Sequence, residues 1–233
     1  MKRDKKADII LQARSTSTRL PGKIFMDIRG RTMLEQILFR LSLVKNRRKL
    51  CVATIRGDAA RIRRLAKPFG AEVVWGSEND VLASYRKAAR KLGSTVIVRA
   101  TADNPLVDYE SLDRALGVFA GSGADYMVME GLPYGAGFEI FTAKALDVCA
   151  KKARLPSERE HVTPFIYGHP GLFRIRRLKA PARKNRPGLR VTVDTAADLR
   201  GARKFYGMYF DDRTGTADLG KVISHERVRS VRP

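Results

Sequence analysis

The stretch IILQARSTSTRLPGK, residues 9–23, joins an apolar segment directly to a loop rich in cations and small hydroxyl side chains. Residues 8–12 predict a β-strand, and Arg14, Arg19 and Lys23 follow it around a Pro-Gly turn. Arginine offers forked donors to phosphate oxygens, lysine adds a point charge, and loop amides add further donors. The stretch therefore predicts a polyphosphate-binding loop at the end of a strand, although its spacing is neither GxxxxGK[ST] nor GxGxxG.

Strand-like and helix-like segments alternate outward from this loop through the first half of the chain. The strands are predicted at residues 8–12, 49–54, 72–75 and 95–100, and the helices at 32–43, 58–69, 80–92 and 111–119. Alternation with short connections predicts an α/β fold, with a mostly parallel sheet and helices on both faces. Ligands bind such sheets beyond the carboxyl ends of the strands, so we expect the loop and Asp103 at the same edge.

The second half of the chain has shorter segments with more Gly and Pro. It predicts helices at residues 143–153 and 196–210, a short helix within 156–170, and strands at 173–178 and 191–193. We interpret residues 1–125 as a nucleotide-binding core. Residues 126–233 are interpreted as a smaller mixed subdomain that supplies a second substrate site and returns to complete the core, within one structural domain.

The chain of 233 residues carries 46 Lys and Arg against 24 Asp and Glu, a formal net charge of +22. Such a charge attracts polyanions and favours nonspecific binding to nucleic acid. The cations are nevertheless spread over nearly every segment, and they lack the interleaved aromatic side chains of single-strand binders. We interpret them as a solvated basic surface that also attracts nucleotide, with a nucleic-acid- or polyanion-binding protein as the alternative.

The apolar runs are too short for a membrane span or a signal peptide. The two cysteines, Cys51 and Cys149, lack the spacing of a metal site, and we expect both to be buried and reduced. These features favour a cytoplasmic location.

The motif A-R-x-x-S-T-R-L-P-G-K after an apolar strand resembles the signature of the sugar-nucleotide cytidylyltransferases, which include acylneuraminate and 3-deoxy-manno-octulosonate cytidylyltransferases. The resemblance is strongest to the branch called spore coat polysaccharide biosynthesis protein F. Five more segments occur in that branch's order and approximate spacing: GSENDVLASY (76–85), VRATADNPLVD (98–108), YGAGFEIF (134–141), REHVTPFIY (159–167) and RVTVDTAADL (190–199). Together the motifs span nearly the whole chain.

The resemblance implies the nucleotide-diphospho-sugar transferase fold, which is similar to the GT-A fold of glycosyltransferases. It further implies Mg²⁺-dependent transfer of CMP from CTP to an acidic sugar, with release of pyrophosphate, for a surface polysaccharide. A homodimer formed through the second half is expected on the same ground. The partners would then be CTP and a sugar acceptor, with no membrane span.

The resemblance also assigns roles to residues. The nucleotide-binding residues would be Leu11, Ala13, Arg14, Ser17, Arg19, Lys23 and Asp80. Asp103 and Asp194 would bind Mg²⁺, the cation that carboxylates and phosphates hold together. From their own chemistry, Glu139, Arg159, Glu160 and His161 are expected to bind the acceptor, with Arg159 suited to its carboxylate. His161 could act as a general base, hydrogen-bond the acceptor or have a structural role. Arg14, Lys23, Asp103 and His161 form the predicted catalytic set.

Other interpretations of these residues remain. Asp103 and Asp194 could each cap a turn or helix, and Asp198 is expected as a first-turn helix charge. Trp75 could stack on a base, although a buried position at the strand end is favoured. The octulosonate branch has an Arg after the residue equivalent to Asp80, where this chain has Val81. A GT-A glycosyltransferase is a second alternative, but it would use a D-x-D motif where this chain has Asp-Asn-Pro.

Overall fold

A seven-stranded sheet organises the computed structural model, which describes residues 5–231. Along its edge-to-edge order the strands are β5 (Glu72–Gly76), β4 (Arg47–Ile55), β1 (Ala7–Gln12), β6 (Val96–Thr101), β8 (Glu139–Thr142), β7 (Tyr126–Glu130) and β9 (Ile175–Lys179). Strand β8 is antiparallel to both neighbours, and the other pairings are parallel. The predicted mostly parallel sheet is confirmed.

Two pairs of short strands lie outside the large sheet. Strands β2 (Asp27–Ile28) and β3 (Arg31–Thr32) form one antiparallel pair after the first loop. Strands β10 (Phe210–Asp211) and β11 (Thr216–Ala217) form the other near the end of the described chain.

Helices cover both faces of the sheet, as predicted. One hydrophobic cluster joins the sheet to α1 (Met33–Ser42), α2 (Ala59–Ala66), α4 (Tyr109–Ser122), α8 (Ala196–Tyr209) and α9 (Leu219–Val231). The other joins it to α3 (Val81–Leu92), α5 (Ala143–Lys152) and α7 (Pro164–Gly168). Helix α6 (Pro156–His161) lies against α3. Since α8 and α9 pack in the same cluster as α1, the end of the chain contributes to the core around the first strands. The predicted division at residue 125 stays a prediction.

Across the described range, the structure contains no helix long and apolar enough to cross a membrane.

Local sequence signals fix the helix starts near the sheet edge. Thr32 caps α1, and Glu35 bonds back to the Thr32 amide, which satisfies two otherwise unpaired donors. Thr195 and Asp198 form the same arrangement at α8, so Asp198 lies in the first turn as predicted. Asp80 caps α3 through a 2.9 Å bond from the Ala83 amide. These caps fix where each helix leaves the edge that carries the first loop.

The predicted strand at residues 191–193 is wrong as a regular sheet strand. Its backbone is extended and bonds elsewhere: the Val191 amide to the Tyr134 carbonyl at 2.8 Å, and the Val193 amide to the Asp103 carbonyl at 2.8 Å. Gly135 makes this approach possible, because a Cβ there would lie 2.4 Å from the Thr192 nitrogen. The segment before Asp194 is thereby fixed against the loop after β6.

Candidate active site

The main cavity opens at the carboxyl ends of β1 and β6 and has a volume of about 310 Å³. Cations from the first loop, carboxylates from two later segments and groups from α6 all contribute to it. The lining consists of Gln12, Arg14, Thr16, Ser17, Thr18, Arg19, Lys23, Ile24, Arg99, Thr101, Ala102, Asp103, Glu160, His161 and Asp194. The predicted residues in this lining are Arg14, Ser17, Arg19, Lys23, Asp103, Glu160, His161 and Asp194.

The first loop is held in shape by a carboxylate that the sequence did not reveal. Asp58 accepts the Ser15 amide at 2.7 Å and the Ser15 hydroxyl at 2.8 Å. The helix predicted at residues 58–69 begins with this residue, but the Asp58 side chain makes no capping bond to α2. Gly22, with a φ of 70°, donates its amide to the Ser15 carbonyl at 2.9 Å and closes the loop. The cations of the loop therefore project from a closed and anchored backbone.

Lys23 is a buried cation at the base of the cavity. Its ammonium donates to the Val193 carbonyl at 2.7 Å and to Asp194 Oδ1 at 3.1 Å. Only 8% of the residue is exposed. A buried ammonium is stable only with such partners, so the position of Lys23 depends on the segment that ends at Asp194.

Asp194 is the carboxylate shared by several cations. Arg19 lies 2.7 Å from its Oδ1 and Arg190 lies 2.6 Å from its Oδ2, in addition to Lys23. Burial alone would raise the pKa of Asp194, but the bonds and charges of Lys23, Arg190 and Arg19 outweigh it, and the pKa lies below its ordinary value. The helix-capping alternative is wrong for this residue, because Thr195 caps α8.

Asp103 lies beside Asp194 through backbone bonds between their segments. The Asp103 carbonyl accepts the Val193 amide at 2.8 Å and the Thr192 hydroxyl at 3.2 Å. Its Oδ1 accepts the Thr101 hydroxyl, whereas Oδ2 accepts no hydrogen bond from the residues that the structure describes. Asp103 thus presents a free carboxylate oxygen within the cavity lining.

These carboxylates fit a metal ion that takes most of its ligands from substrate phosphates and water. Within residues 5–231 no group of three or more His, Cys, Asp or Glu side chains could hold an ion by itself. Mg²⁺ is typically held by one or two protein carboxylates, completed by substrate phosphates and water. Asp103 has a free oxygen that could hold such an ion. Asp194 is engaged by Arg19, Lys23 and Arg190, so it could do so only if these cations were drawn to phosphate oxygens.

Helix α6 is tied to the first loop and to the start of α3 by two ion pairs. Arg14 donates to Glu160 at 3.1 Å, and its other terminal nitrogen lies 3.4 Å from the Glu78 carbonyl. Arg159 donates to Asp80 through two nitrogens. Helix α6 therefore spans from the first loop to the start of α3.

A strained turn follows α6. Val162 has a φ of 71°, which is costly for a β-branched residue, and the Thr163 amide bonds to the His161 carbonyl at 2.8 Å across it. The turn lets His161 end the helix within the cavity lining while Thr163 faces inward to Glu139. Strain of this kind is concentrated at functional sites.

Five predicted site residues lie outside the main lining. The Leu11 side chain is in the core, and Ala13 lines a smaller neighbouring depression with Ser77 and Glu78. Arg159 and Asp80 are paired with each other. Glu139 is the fifth, and it accepts hydrogen bonds from three side chains. The nucleotide and acceptor roles assigned to these residues stay predictions.

Arg99 is a lining residue that the sequence interpretation missed. It occupies β6 directly opposite Glu139 in the antiparallel register with β8. The signal was present, since a lone Arg interrupts the apolar, β-branched segment TVIVRA that was predicted as a central strand. A charge in such a strand needs a buried partner or a ligand.

Trp75 ends β5 with 42% of its surface exposed, so the predicted buried position is wrong. The Lys87 ammonium lies 4.2 Å from the ring centroid, and the Arg56 guanidinium 5.5 Å from it. Cation–π contacts with these side chains hold the ring at the surface.

Comparison with known proteins places this arrangement in a family. The model of the family described as Cytidylyltransferase matches residues 9–216. The spore coat polysaccharide biosynthesis protein SpsF of Bacillus subtilis is 34% identical over 203 residues, covering 84% of this chain and 85% of that protein. A 3-deoxy-manno-octulosonate cytidylyltransferase of Chlorobium chlorochromatii is 35% identical over 115 residues, 48% of this chain and 45% of that one.

A solved structure extends the likeness to the whole fold. The cytidylyltransferase of Leptospira borgpetersenii superposes with a TM-score of 0.85 at 29% identity, and the match covers 96% of each chain.

Proposed function

The chain belongs to the cytidylyltransferase family, and from that membership we propose that it transfers CMP from CTP to an acidic sugar with release of pyrophosphate. The observation that carries the proposal is the convergence of Arg14, Arg19 and Lys23 with Asp103 and Asp194 around one cavity. The relatives support the donor and the acceptor class, because one of them is named as a cytidylyltransferase for an eight-carbon sugar acid.

In this proposal the first loop binds the triphosphate. Arg14 and Arg19 offer planar donors to the phosphate oxygens, and Lys23 adds a charge at the base of the cavity. The anchored backbone from Ser15 to Gly22 keeps these donors in place before the nucleotide arrives. Catalysis of such a transfer depends mainly on positioning and charge neutralisation.

Asp103 and Asp194 are the proposed ligands of Mg²⁺. The ion would offset charge on the phosphates as the bond to pyrophosphate breaks. Its chemistry fits the free Oδ2 of Asp103. When phosphate takes over Arg19 and Lys23, Asp194 loses two of its three cations and becomes available to the metal.

His161 is the proposed acceptor-side base. It lines the cavity at the end of α6, next to Glu160, and its imidazole can accept the proton of the attacking hydroxyl. The bond broken in the reaction joins the α- and β-phosphates, and the hydroxyl oxygen of the acceptor forms the new bond to the α-phosphorus.

The same proposal includes cytoplasmic synthesis of an activated sugar for a surface polysaccharide by a homodimer. Both cysteines are free and buried, as a reducing compartment permits. The name of the Bacillus relative supports the polysaccharide role. Leu155, Tyr167 and Leu172 are exposed apolar side chains in the second half, where the partner protomer would pack. Sedimentation of the purified protein tests the dimer.

The proposed reaction is tested first by binding and then by turnover. CTP with Mg²⁺ is expected to raise the melting temperature more than ATP, GTP or UTP, and more than CTP with EDTA. Pyrophosphate release should then require a sugar acid. Asp103→Asn is expected to abolish release, whereas Asp147→Asn, in a surface ion pair with Arg86, should leave it unchanged. Equal stabilisation by all four nucleotides, or full activity of Asp103→Asn, would contradict the proposal.

A further inference from the structure

Arg99 is a cation in the lining of the cavity, and Glu139 holds its side chain in place. It faces Glu139 across the β6–β8 pair, with its Nη1 2.7 Å from Glu139 Oε2. Only 17% of the Arg99 side chain and 16% of the Glu139 side chain are exposed. The pair is therefore largely shielded from water, and the guanidinium borders the cavity.

Glu139 is held by other donors and cannot follow Arg99 if that side chain moves. Its Oε1 accepts the Tyr126 hydroxyl at 2.6 Å and the Thr163 hydroxyl at 2.6 Å. Burial first, and then the charge of Glu139, raises the pKa of Tyr126, so this phenol remains a donor throughout the ordinary pH range. Glu139 is thus a positioning residue that fixes the plane of the Arg99 guanidinium.

The donors of Arg99 are mostly unused. A guanidinium has five N–H groups, and in the described part of the chain the bond to Glu139 is the only hydrogen bond that Arg99 makes. Its Nε is buried and has no partner there. The terminal N–H groups that Glu139 leaves free are not buried, and because Arg99 lines the cavity, an anion bound there could accept hydrogen bonds from them.

Arg99 comes from a different part of the fold than the residues that are proposed to bind the triphosphate. Arg14, Arg19 and Lys23 come from the loop after β1, whereas Arg99 comes from β6, on the sheet face that α3, α5 and α7 cover. Thr163, which bonds to Glu139, lies two residues after His161, the proposed base. Arg99 therefore belongs to the side of the cavity where the acceptor reacts.

We propose that Arg99, oriented by Glu139, binds the carboxylate of the sugar-acid acceptor and selects acidic over neutral acceptors. This inference rests on the proposed function and assigns the acceptor's charged group to a residue. Arg159 was predicted for this role from the sequence, but its guanidinium is engaged by Asp80, and it lies outside the cavity lining. A planar guanidinium matches a carboxylate with two parallel hydrogen bonds, which a lysine cannot supply.

The test uses the whole protein and two forms of one probe acceptor: 3-deoxy-manno-octulosonate and its uncharged C1 amide. In Arg99→Gln the KM for the acid is expected to rise on the order of 10- to 100-fold, because one charge-assisted contact is lost. The preference for acid over amide should fall by the same factor, and CTP affinity should stay within about twofold. Arg99→Lys should recover only part of the loss.

Matched variants separate this role from structural support. Arg177 donates to Glu130 at the same 2.7 Å between neighbouring strands, but at an exposed position outside the cavity. Arg177→Gln should change neither KM nor acid preference. The double variant Arg99→Gln with Glu139→Gln avoids a buried unpaired carboxylate, so it keeps the fold while still losing the preference. Calorimetric titration of the acid into wild-type protein and into this double variant measures the same contact without turnover.

The outcomes distinguish the residue assignment from the function. If Arg99→Gln loses activity equally with acid and amide, or loses CTP affinity, the assignment is wrong. It is also wrong if wild-type protein binds CTP but neither binds nor uses the acid. Absence of CTP-dependent stabilisation in wild-type protein would instead overturn the proposed function, and the calorimetric comparison of acid binding would still decide the role of Arg99.

Discussion

Lys23 and Asp194 are separated by 171 positions in the chain, yet the Lys23 ammonium lies 3.1 Å from Asp194 Oδ1. The pair joins the first loop to the segment before α8 and is buried on both sides, with side-chain exposures of 10% and 6%. Because both charges are removed from water, each depends on the other, and the closed loop depends on the pair.

Replacing Lys23 with Met is expected to affect stability and nucleotide binding together. Asp194 would keep Arg19 and Arg190, so we expect a loss of about 2–4 kcal/mol in the free energy of unfolding, somewhat less than the roughly 3–5 kcal/mol for breaking a buried pair completely. Stabilisation by CTP should disappear. The control is Lys49→Met, which removes an exposed pair with Glu72 and should cost less than about 1 kcal/mol. Urea unfolding measures both, and equal losses would contradict the prediction.

The pair between Arg159 and Asp80 should contribute to the attachment of α6. Asp80→Asn keeps a good cap on α3 while it removes the charge, and Arg159→Gln removes the other partner. We expect a coupling free energy of about 1 kcal/mol in a double-mutant cycle, because both side chains are about a quarter to a third exposed. A coupling of zero would show that this pair does not help to hold α6.

Gly135 should tolerate no side chain. Its φ is 97°, and a Cβ would lie 2.4 Å from the Thr192 nitrogen, which is backbone and cannot turn away. Gly135→Ala is therefore expected to cost about 3 kcal/mol or more, from overpacking and backbone strain together. It should also displace Asp194 and weaken CTP binding.

Gly137, two residues on, provides the control for Gly135. A Cβ at Gly137 would meet nothing within 4 Å, and its φ is outside the left-handed region. Gly137→Ala should leave the melting temperature and CTP binding nearly unchanged. Similar losses in the two variants would contradict the close approach at Thr192.

Both cysteines should be unreactive in the native protein. Burial raises the pKa of Cys51 and of Cys149 to about 12, so the thiolate is scarce at pH 8. A thiol reagent such as DTNB should label neither residue at that pH and both after denaturation. Rapid labelling of native protein would contradict the burial.

The same shifts predict a loss of stability in alkali. The unfolded thiols lose protons near pH 8.5 while the native thiols keep theirs to about pH 12, so the unfolded state binds fewer protons between these values. The free energy of unfolding should therefore fall as the pH rises through this window. Cys51→Ala should reduce the slope, as measured by urea unfolding at pH 8 and at pH 10.5.

The local part of the site could be predicted from the sequence. An apolar strand followed by Arg14, Arg19 and Lys23 indicated where phosphate donors would lie, since a strand fixes the start of its loop. Apolar residues at helical spacing placed α1, and two of them, Leu34 and Ile37, are fully buried. The alternation of elements placed Asp103 at the same edge as the loop. Each inference used residues that are close in sequence or a rule of sheet topology.

Pairings between distant side chains could not be predicted in this way. Asp58 was expected at a helix end and is bonded to Ser15, and Arg159 was expected on an acceptor and is bonded to Asp80. Capping propensity and charge describe what a side chain can do, and the partner that is nearby in space decides which of these it does. Arg99 was missed for the same reason, since its role follows from its opposition to Glu139.

The sequence by itself determined the alternation of strands and helices in the first half of the chain, the position of the loop with Arg14, Arg19 and Lys23, and the family, because periodicity and motif spacing are properties of the chain. Only the tertiary structure decided which carboxylate each cation pairs with: Lys23 pairs with Asp194, Arg159 with Asp80, and Arg99 with Glu139. Arg99 keeps further N–H groups that make no hydrogen bond to the residues the structure describes. The physical reason is that an ion pair depends on separation in space and on shielding from water. Both are set by how the sheet brings remote segments together.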